Sequence, residues 1–240
     1  MGANDMRIAD SDSTLVTKEP VILNELLPLD GAKIVELGCG KAEMTRIASQ
    51  QAESILALEV DEIQLAKNRS ITDLANVIFE HGGAEKIPAP DSGFDIVLML
   101  KSLHHVPSEF MDNAFDEIRR VLKPGGLAYI SEPVYAGDFN EILRLFHDEK
   151  EVREAAFAAI QRAVATGHFE LVTERFFLNP MHFDGFSQYE EQILGVTHTN
   201  HELSPELYEE VRVRFNRHLT PEGANFRMPI RVDLLRNIKD

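Results

Sequence analysis

In the segment Ile34-Val35-Glu36-Leu37-Gly38-Cys39-Gly40-Lys41-Ala42, an apolar run carries an acid and passes into a turn with two glycines two positions apart. Glycine lets a ligand approach the backbone without a Cβ clash, and a helix that follows such a turn presents unpaired N–H groups. A second carboxylate, Glu59, closes the run Leu56-Ala57-Leu58, 19 residues after Gly40. At that place in a nucleoside-binding sheet an acid accepts hydrogen bonds from ribose hydroxyls. Taken singly, the glycine pair is an ordinary turn and Glu59 a strand-end surface charge. At this spacing the two point together to a nucleoside.

Other residues carry chemistry further along. His104 and His105 follow Met99-Leu100-Lys101-Ser102-Leu103, and a histidine there is a candidate proton acceptor. Glu132 and Tyr135 are candidates to orient a substrate, although loop polarity is the plainer reading. Cys39 is the single cysteine of the chain; no histidine accompanies it, so it reads as a small turn residue rather than a nucleophile. One cysteine forms no internal disulfide and no thiolate cluster for zinc, which fits a reducing, cytoplasmic setting. His198 and His201 stand three apart without an assigned third ligand, so no metal is expected.

These residues must be positioned by a fold, and its class shows in the alternation of elements. The runs 34–37, 54–59, 76–80, 94–100 and 127–131 read as strands buried on both faces of a parallel sheet. Helical patterns lie between them at 44–51, 62–70 and 113–121, and a leading helix at 19–27 ends before Pro28. Lys123-Pro124-Gly125-Gly126 reads as a helix stop and a turn. Alternating β and α elements with short connections imply an open α/β sheet with right-handed crossovers. After Tyr135 come amphipathic helices at 138–147 and 149–165, with Val152, Ala156, Ile160 and Val164 on one face of the second. A strand at 169–177, an irregular stretch at 180–204, a helix at 205–218 capped by Ser204 and a last strand at 226–235 complete the chain.

Composition narrows the partners. The 240 residues include 24 Lys and Arg against 40 Asp and Glu, a formal charge of −16, with 44% hydrophobic residues. That is ordinary globular usage. The charge argues against nucleic acid or an anionic membrane surface as a partner, and it sets no oligomeric state. No apolar run approaches the roughly 20 residues of a membrane-spanning helix. Residues 1–13 are polar and read as a frayed tail, with one domain at 14–240.

The ordered set ELGCG, Glu59, GGAEKIP, GFDIVLML with LHHV, and RRVLKPGGLAYI resembles the class I S-adenosylmethionine-dependent methyltransferases over about residues 14–135. The resemblance implies a Rossmann-like, doubly wound seven-stranded sheet of order 3-2-1-4-5-7-6 with the last strand antiparallel. It also implies S-adenosylmethionine as cofactor, S-adenosylhomocysteine as product and a small-molecule methyl acceptor. A cofactor-binding or regulatory protein without transferase activity is the alternative. By the same resemblance, Glu36 fixes the first turn and Gly38, Cys39 and Gly40 pack against the methionine and ribose portion. Glu59 holds both ribose hydroxyls, Val60 covers an adenine face, Ala84 and Glu85 lie at the adenine edge, and Met99 and Leu100 offer backbone to the methionine amine.

Two positions depart from the family pattern: Ala42 replaces a third glycine, and Gly83 stands where an acid often precedes Ala-Glu. A dinucleotide suits the chain less well, because Glu43 falls at the third small position and a carboxylate there repels pyrophosphate. A cationic sulfonium carries no phosphate and suits acidic surroundings. Helices within 138–165 and the segment 180–218 are expected to form a lid. Its aromatics, among them Phe139, Phe183, Phe186 and Tyr189 with His198, either stack on an acceptor or glue the lid to the sheet.

Overall fold

Both odd and even positions of the central strands are apolar, so the sheet must be covered on both sides. The computed structural model describes residues 2–195 and 203–238. Its elements are α1 (Glu19–Leu26), β1 (Lys33–Leu37), α2 (Glu43–Ala48), β2 (Ser54–Glu59), α3 (Glu62–Arg69), β3 (Val77–His81), β4 (Phe94–Leu100) and α4 (Met111–Val121). They continue with β5 (Leu122–Pro133), α5 (Asp138–Leu143), α6 (Lys150–Ala165), β6 (Phe169–Phe183), α7 (Phe186–Tyr189), α8 (Pro205–Asn216), β7 (Leu219–Thr220) and β8 (Gly223–Asn237).

The strand order is β3-β2-β1-β4-β5-β8-β6, parallel through β5, with β8 antiparallel to both neighbours. This is the expected seven-stranded order, with β8 standing where the strand numbered 7 is expected, between β5 and β6. The two-residue β7 is an addition that pairs with β8. One face of the sheet carries Val35, Leu37, Val97, Met99 and Ile130 against Met111, Phe115, Ile118 and Val121 of α4 and Ala156, Ala159 and Ile160 of α6. The other carries Ile34, Ile55, Ala57, Ile96 and Leu98 against Ile22 and Leu23 of α1 and Ala48 of α2. The period of two along each strand produces this division. Each such Ile, Leu or Val contributes about 1.5–3 kcal/mol by leaving water. A third cluster, Phe139, Phe183, Tyr189, Val211, Phe215 and Phe226, joins α5, α7 and α8 to the far end of β6 and β8.

Several elements depart from the sequence reading. Strand β3 is an edge strand, half exposed rather than buried on both faces, with Ile78 62% exposed. Residues 123–126 fall inside β5: the pairing steps from Phe94–Leu122 to Ile96–Leu127, so the Pro-Gly-Gly turn is a bulge within the strand. Strand β6 continues six residues past Phe177, pairing Met181 with Phe226 and Phe183 with Ala224. Its polar Asn179 and Pro180 hide that extension, and the sheet edge tolerates a residue without an N–H. Helix α6 buries Ala156 and Ile160 of the expected face, but Arg153, Phe157 and Ala163 are inside as well and Val152 is outside. Helix α5 ends at Leu143.

The first residues are seated rather than frayed. Met6 is buried in the α6 side of the core, Arg7 N–H donates to Glu174 Oε1 at 2.8 Å, and the Arg7 guanidinium lies 4.9 Å over Phe176. Ser204 caps α8 as expected, its Oγ accepting from Leu207 N–H at 3.2 Å with Pro205 at the first helical position. Ser204→Ala is expected to cost about 1 kcal/mol, measured as a lower urea midpoint at unchanged slope. Among the described residues no helix is long and apolar enough to cross a membrane.

Candidate active site

The carboxyl ends of the parallel strands open into a cavity of about 720 Å³. It lies where the chain reverses direction across the sheet between β1 and β4, the place where such sheets bind ligands. Gly38, Gly40, Glu59, Val60, Ala84, Glu85, Met99, Leu100 and His105 line it together. Glu36, Cys39 and His104 do not reach its wall. Lys41, Asp61, Gln64, Lys67, Lys101 and Ser102 do; their only sequence signal was adjacency to the motifs. From the lid, Glu191, Gln192 and Gly195 complete the lining.

The turn after β1 is held from several sides. Gly38 and Cys39 donate their N–H groups to Leu58 O at 3.0 and 2.9 Å, and Ser102 Oγ donates to Leu37 O at 2.7 Å. Gly38 has φ +77°, and a Cβ there would lie 2.8 Å from Ser102 Cβ. Ala42, in the place of a third glycine, itself adopts φ +61° and leads into α2. Cys39 is buried beside Asn68, whose Nδ2 donates to Gly40 O at 2.7 Å. Burial, with Glu36 and Glu59 nearby, pushes the thiol well above its ordinary range, so Cys39 is no nucleophile.

Glu59 has a fuller set of partners than a strand-end charge would. Its Oε1 accepts from Val60 N–H and Asp61 N–H, each at 2.9 Å, and its Oε2 accepts from Gly40 N–H at 2.8 Å. A carboxylate offers about four acceptor positions; the one left open is on Oε2. Val60 beside it is 59% exposed, an apolar surface in the cavity wall.

Glu36 lies beneath the turn, 2% exposed, and accepts from Thr45 Oγ1 at 2.6 Å. Burial raises its pKa to about 7, opposed by the Thr45 hydrogen bond and reinforced by Glu59. The folded chain therefore binds this proton more tightly than the unfolded chain does. Stability gained from it is full below the ordinary glutamate range and is lost as pH rises toward 7. Glu36→Gln, which keeps an acceptor for Thr45, is expected to stabilise the chain by about 1–3 kcal/mol at pH 8 and to lose that advantage at pH 4.5. Thermal melts of both proteins across this range give the measurement.

The loop after β3 explains the missing acid at Gly83. A Cβ built on Gly83 would sit 2.3 Å from Glu85 Oε2, so the Glu85 carboxylate fills the space of a side chain at 83. A carboxylate thus occupies that place, carried by Glu85 of the Ala-Glu pair itself. Helix α4 pins this loop: Asn113 Nδ2 donates to Glu85 O at 2.9 Å, and Arg120 donates to Ile87 O and Ala89 O at 2.9 and 2.8 Å.

The two adjacent histidines part company. His105 lines the cavity, whereas His104 is buried behind it with Nδ1 on Glu132 Oε2 and Nε2 3.5 Å from Glu149 Oε1. Burial alone would lower the His104 pKa, but Glu132 and Glu149 outweigh it and raise it to about 9. An imidazole already protonated and enclosed is no general base, which corrects the candidacy of His104. Glu132 is likewise no rim residue: buried in β5, it takes Leu103 N–H at 2.9 Å and orients His104. Lys101 pairs with Glu19 Oε2 at 3.1 Å.

Among the described lid aromatics, Phe139, Phe183, Phe186 and Tyr189 pack on one another at 5.4–6.3 Å between centroids and do not line the cavity. They glue the lid to the sheet. The pair His198 and His201 lies outside the described residues. A different group, His104, His105 and Glu149, brings three metal-ligating atoms within 4.8 Å of one another.

A family model described as a methyltransferase domain matches residues 35–130. The 27-O-demethylrifamycin SV methyltransferase of Amycolatopsis mediterranei is 28% identical over 174 residues, covering 68% of this chain and 60% of that protein. The ubiquinone/menaquinone biosynthesis C-methyltransferase UbiE of Psychromonas ingrahamii is 32% identical over 126 residues, covering 49% of this chain and 48% of that protein. The matches thus span less than two thirds of each relative's length. Among solved structures, the YcgJ protein from Bacillus subtilis aligns with a TM-score of 0.60 over 92% of this chain and 98% of its own, at 15% identity, a likeness of fold. That domain match is seated on the strands that build the cavity, and over residues 35–130 the chain is similar to methyltransferase domains.

Proposed function

We propose that this chain transfers a methyl group from S-adenosylmethionine to a small organic acceptor. The observation that carries this reading is the cavity: it runs from Glu59 and Val60 past the ends of β1 and β4 to the lid residues Glu191 and Gln192. A recess of 720 Å³ is of the size that encloses a ligand of drug-like dimensions. Both curated relatives described above carry names of small organic molecules or their biosynthesis.

The residues present fit the cofactor. Glycines at 38 and 40 leave the backbone open to its amino-acid end, and Leu100 and Met99 meet the ammonium group through backbone. Glu59 Oε2 accepts a ribose hydroxyl, Val60 and Ala84 cover the adenine, and the Glu85 carboxylate accepts from its amino group. When bound, S-adenosylmethionine supplies an electrophilic methyl on a positively charged sulfur with a neutral thioether as leaving group. What the protein must add is alignment and exclusion of water, which are worth several orders of magnitude in rate. The lid segment Glu190–Leu194 does the excluding, and His105, the histidine in the cavity wall, stands as the group that takes a proton where the acceptor must lose one. A buried, unpaired Cys39 fits a reducing compartment such as the cytoplasm.

Calorimetric titration with S-adenosylmethionine and S-adenosylhomocysteine tests the first half, and mass-spectrometric screening of acceptors for a methyl adduct tests the second. Saturable binding with product supports the reading. Binding without product from any acceptor favours the non-transferring alternative, and absence of binding at high micromolar concentration overturns both.

A further inference from the structure

Behind the cavity wall, β5, the turn after β4 and the start of α6 bring histidines and carboxylates together. His104, His105 and Glu149 each offer a ligand atom, all within 4.8 Å of one another. The separation of His104 Nε2 from Glu149 Oε1, 3.5 Å, is long for a hydrogen bond. It is close to the ~3.3 Å between two ligand atoms that share one tetrahedral zinc at about 2.0–2.1 Å. The other nitrogen of His104 is held by Glu132, itself buried and oriented by Leu103 N–H. A carboxylate behind a histidine in this way fixes the ring and raises its basicity as a ligand. Glu149 is oriented as well. Its Oε2 pairs with Arg153 Nη2 at 2.5 Å, and Arg153 Nη1 reaches Asn140 Oδ1 at 3.1 Å, so Oε1 faces the histidines. His147 Nε2 meets that same oxygen at 2.9 Å.

We infer that His104, His105 and Glu149 form a binding site for a divalent transition-metal ion, with Glu132 as the outer partner of His104. Two imidazoles and one carboxylate select zinc, iron or a similar ion over magnesium, which prefers oxygen ligands. Three protein ligands leave a coordination position open. Because His105 also lines the cofactor cavity, an ion held here borders the acceptor space and can draw in an acceptor oxygen; its charge then takes over from His105 in easing proton loss, because the ligating imidazole no longer accepts a proton. That consequence rests on the transferase reading; binding of the ion does not.

The test uses the full chain, stripped with a chelator, dialysed and titrated with Zn²⁺ and separately with Mg²⁺ in a calorimeter. Co²⁺ substitution, read by its visible d–d absorption, reports the coordination geometry. One Zn²⁺ per chain, with Mg²⁺ binding at least about 100-fold more weakly, is the expected result. His105→Ala, at an exposed position, and Glu149→Gln should each weaken Zn²⁺ about 10–100-fold. If Glu149→Gln fails to fold by circular dichroism, His105→Ala decides alone. No saturable Zn²⁺ binding overturns the inference, as does binding unchanged in His105→Ala, which would place the ion elsewhere. Zinc binding that fails in a chain still taking up S-adenosylmethionine removes the metal site and leaves the proposed activity standing.

Discussion

Gly38→Ala is expected to destabilise the chain by about 2–5 kcal/mol and to remove measurable binding of S-adenosylmethionine. Two costs add. A left-handed backbone conformation costs an L-residue about 1–2 kcal/mol, and Gly38 sits at φ +77°. The new Cβ would also meet Ser102 Cβ at 2.8 Å, and such overpacking costs about 1–3 kcal/mol. Ser102 cannot step aside freely, because its Oγ is bonded to Leu37 O. Gly40→Ala is the control: its φ is also positive, but nothing lies within 4 Å of the added atom. Urea unfolding and calorimetry on both variants separate strain from crowding. Equal losses in the two would show that contact with Ser102 does not set the effect.

Glu59→Ala is expected to weaken S-adenosylmethionine about 100-fold, or ~2.7 kcal/mol. The carboxylate both faces the cavity and takes three amide N–H groups, from Gly40, Val60 and Asp61. Removing it leaves those donors without a charged acceptor and loosens the Gly40 turn from the end of β2. The loss should therefore extend to S-adenosylhomocysteine, which shares the ribose. Glu59→Gln keeps the volume but turns an amide N–H₂ toward a backbone donor, so it should recover only part of the affinity. Titrations of both nucleosides against the three proteins give the answer, and unchanged affinity in Glu59→Ala would take Glu59 out of the binding site.

The parts of this molecule most readable from its residues are those governed by neighbours in the chain. Strands β2 and β4 fall at the residues expected from their apolar runs, and Ser204 caps α8 as its type requires. Sequence and structure part where a distant partner sets an element's extent. The continuation of β6 through Asn179 and Pro180 depends on β8 lying alongside. The inward turn of Arg153 on α6 depends on Glu149 and Asn140, while Val152 of the expected stripe faces out and Ala156 and Ile160 face in. Residues 2–8 look unstructured by composition, yet Met6 finds a hydrophobic seat beside α6.

The same division runs through the site. Glycines at 38 and 40 and acids at 36 and 59 announce themselves, because a tight turn at a strand end needs those types at that spacing whatever surrounds it. Which of two adjacent histidines meets the cavity was decided only by packing. The turn 103–105 presents consecutive side chains in different directions, so His104 goes under Glu132 and His105 into the wall. That Glu85 fills the vacancy over Gly83 was decided in the same way, by α4 gripping the loop through Asn113 and Arg120. Local backbone geometry is encoded by residue type, whereas the direction a side chain faces is set by elements remote in sequence that compete for the same space.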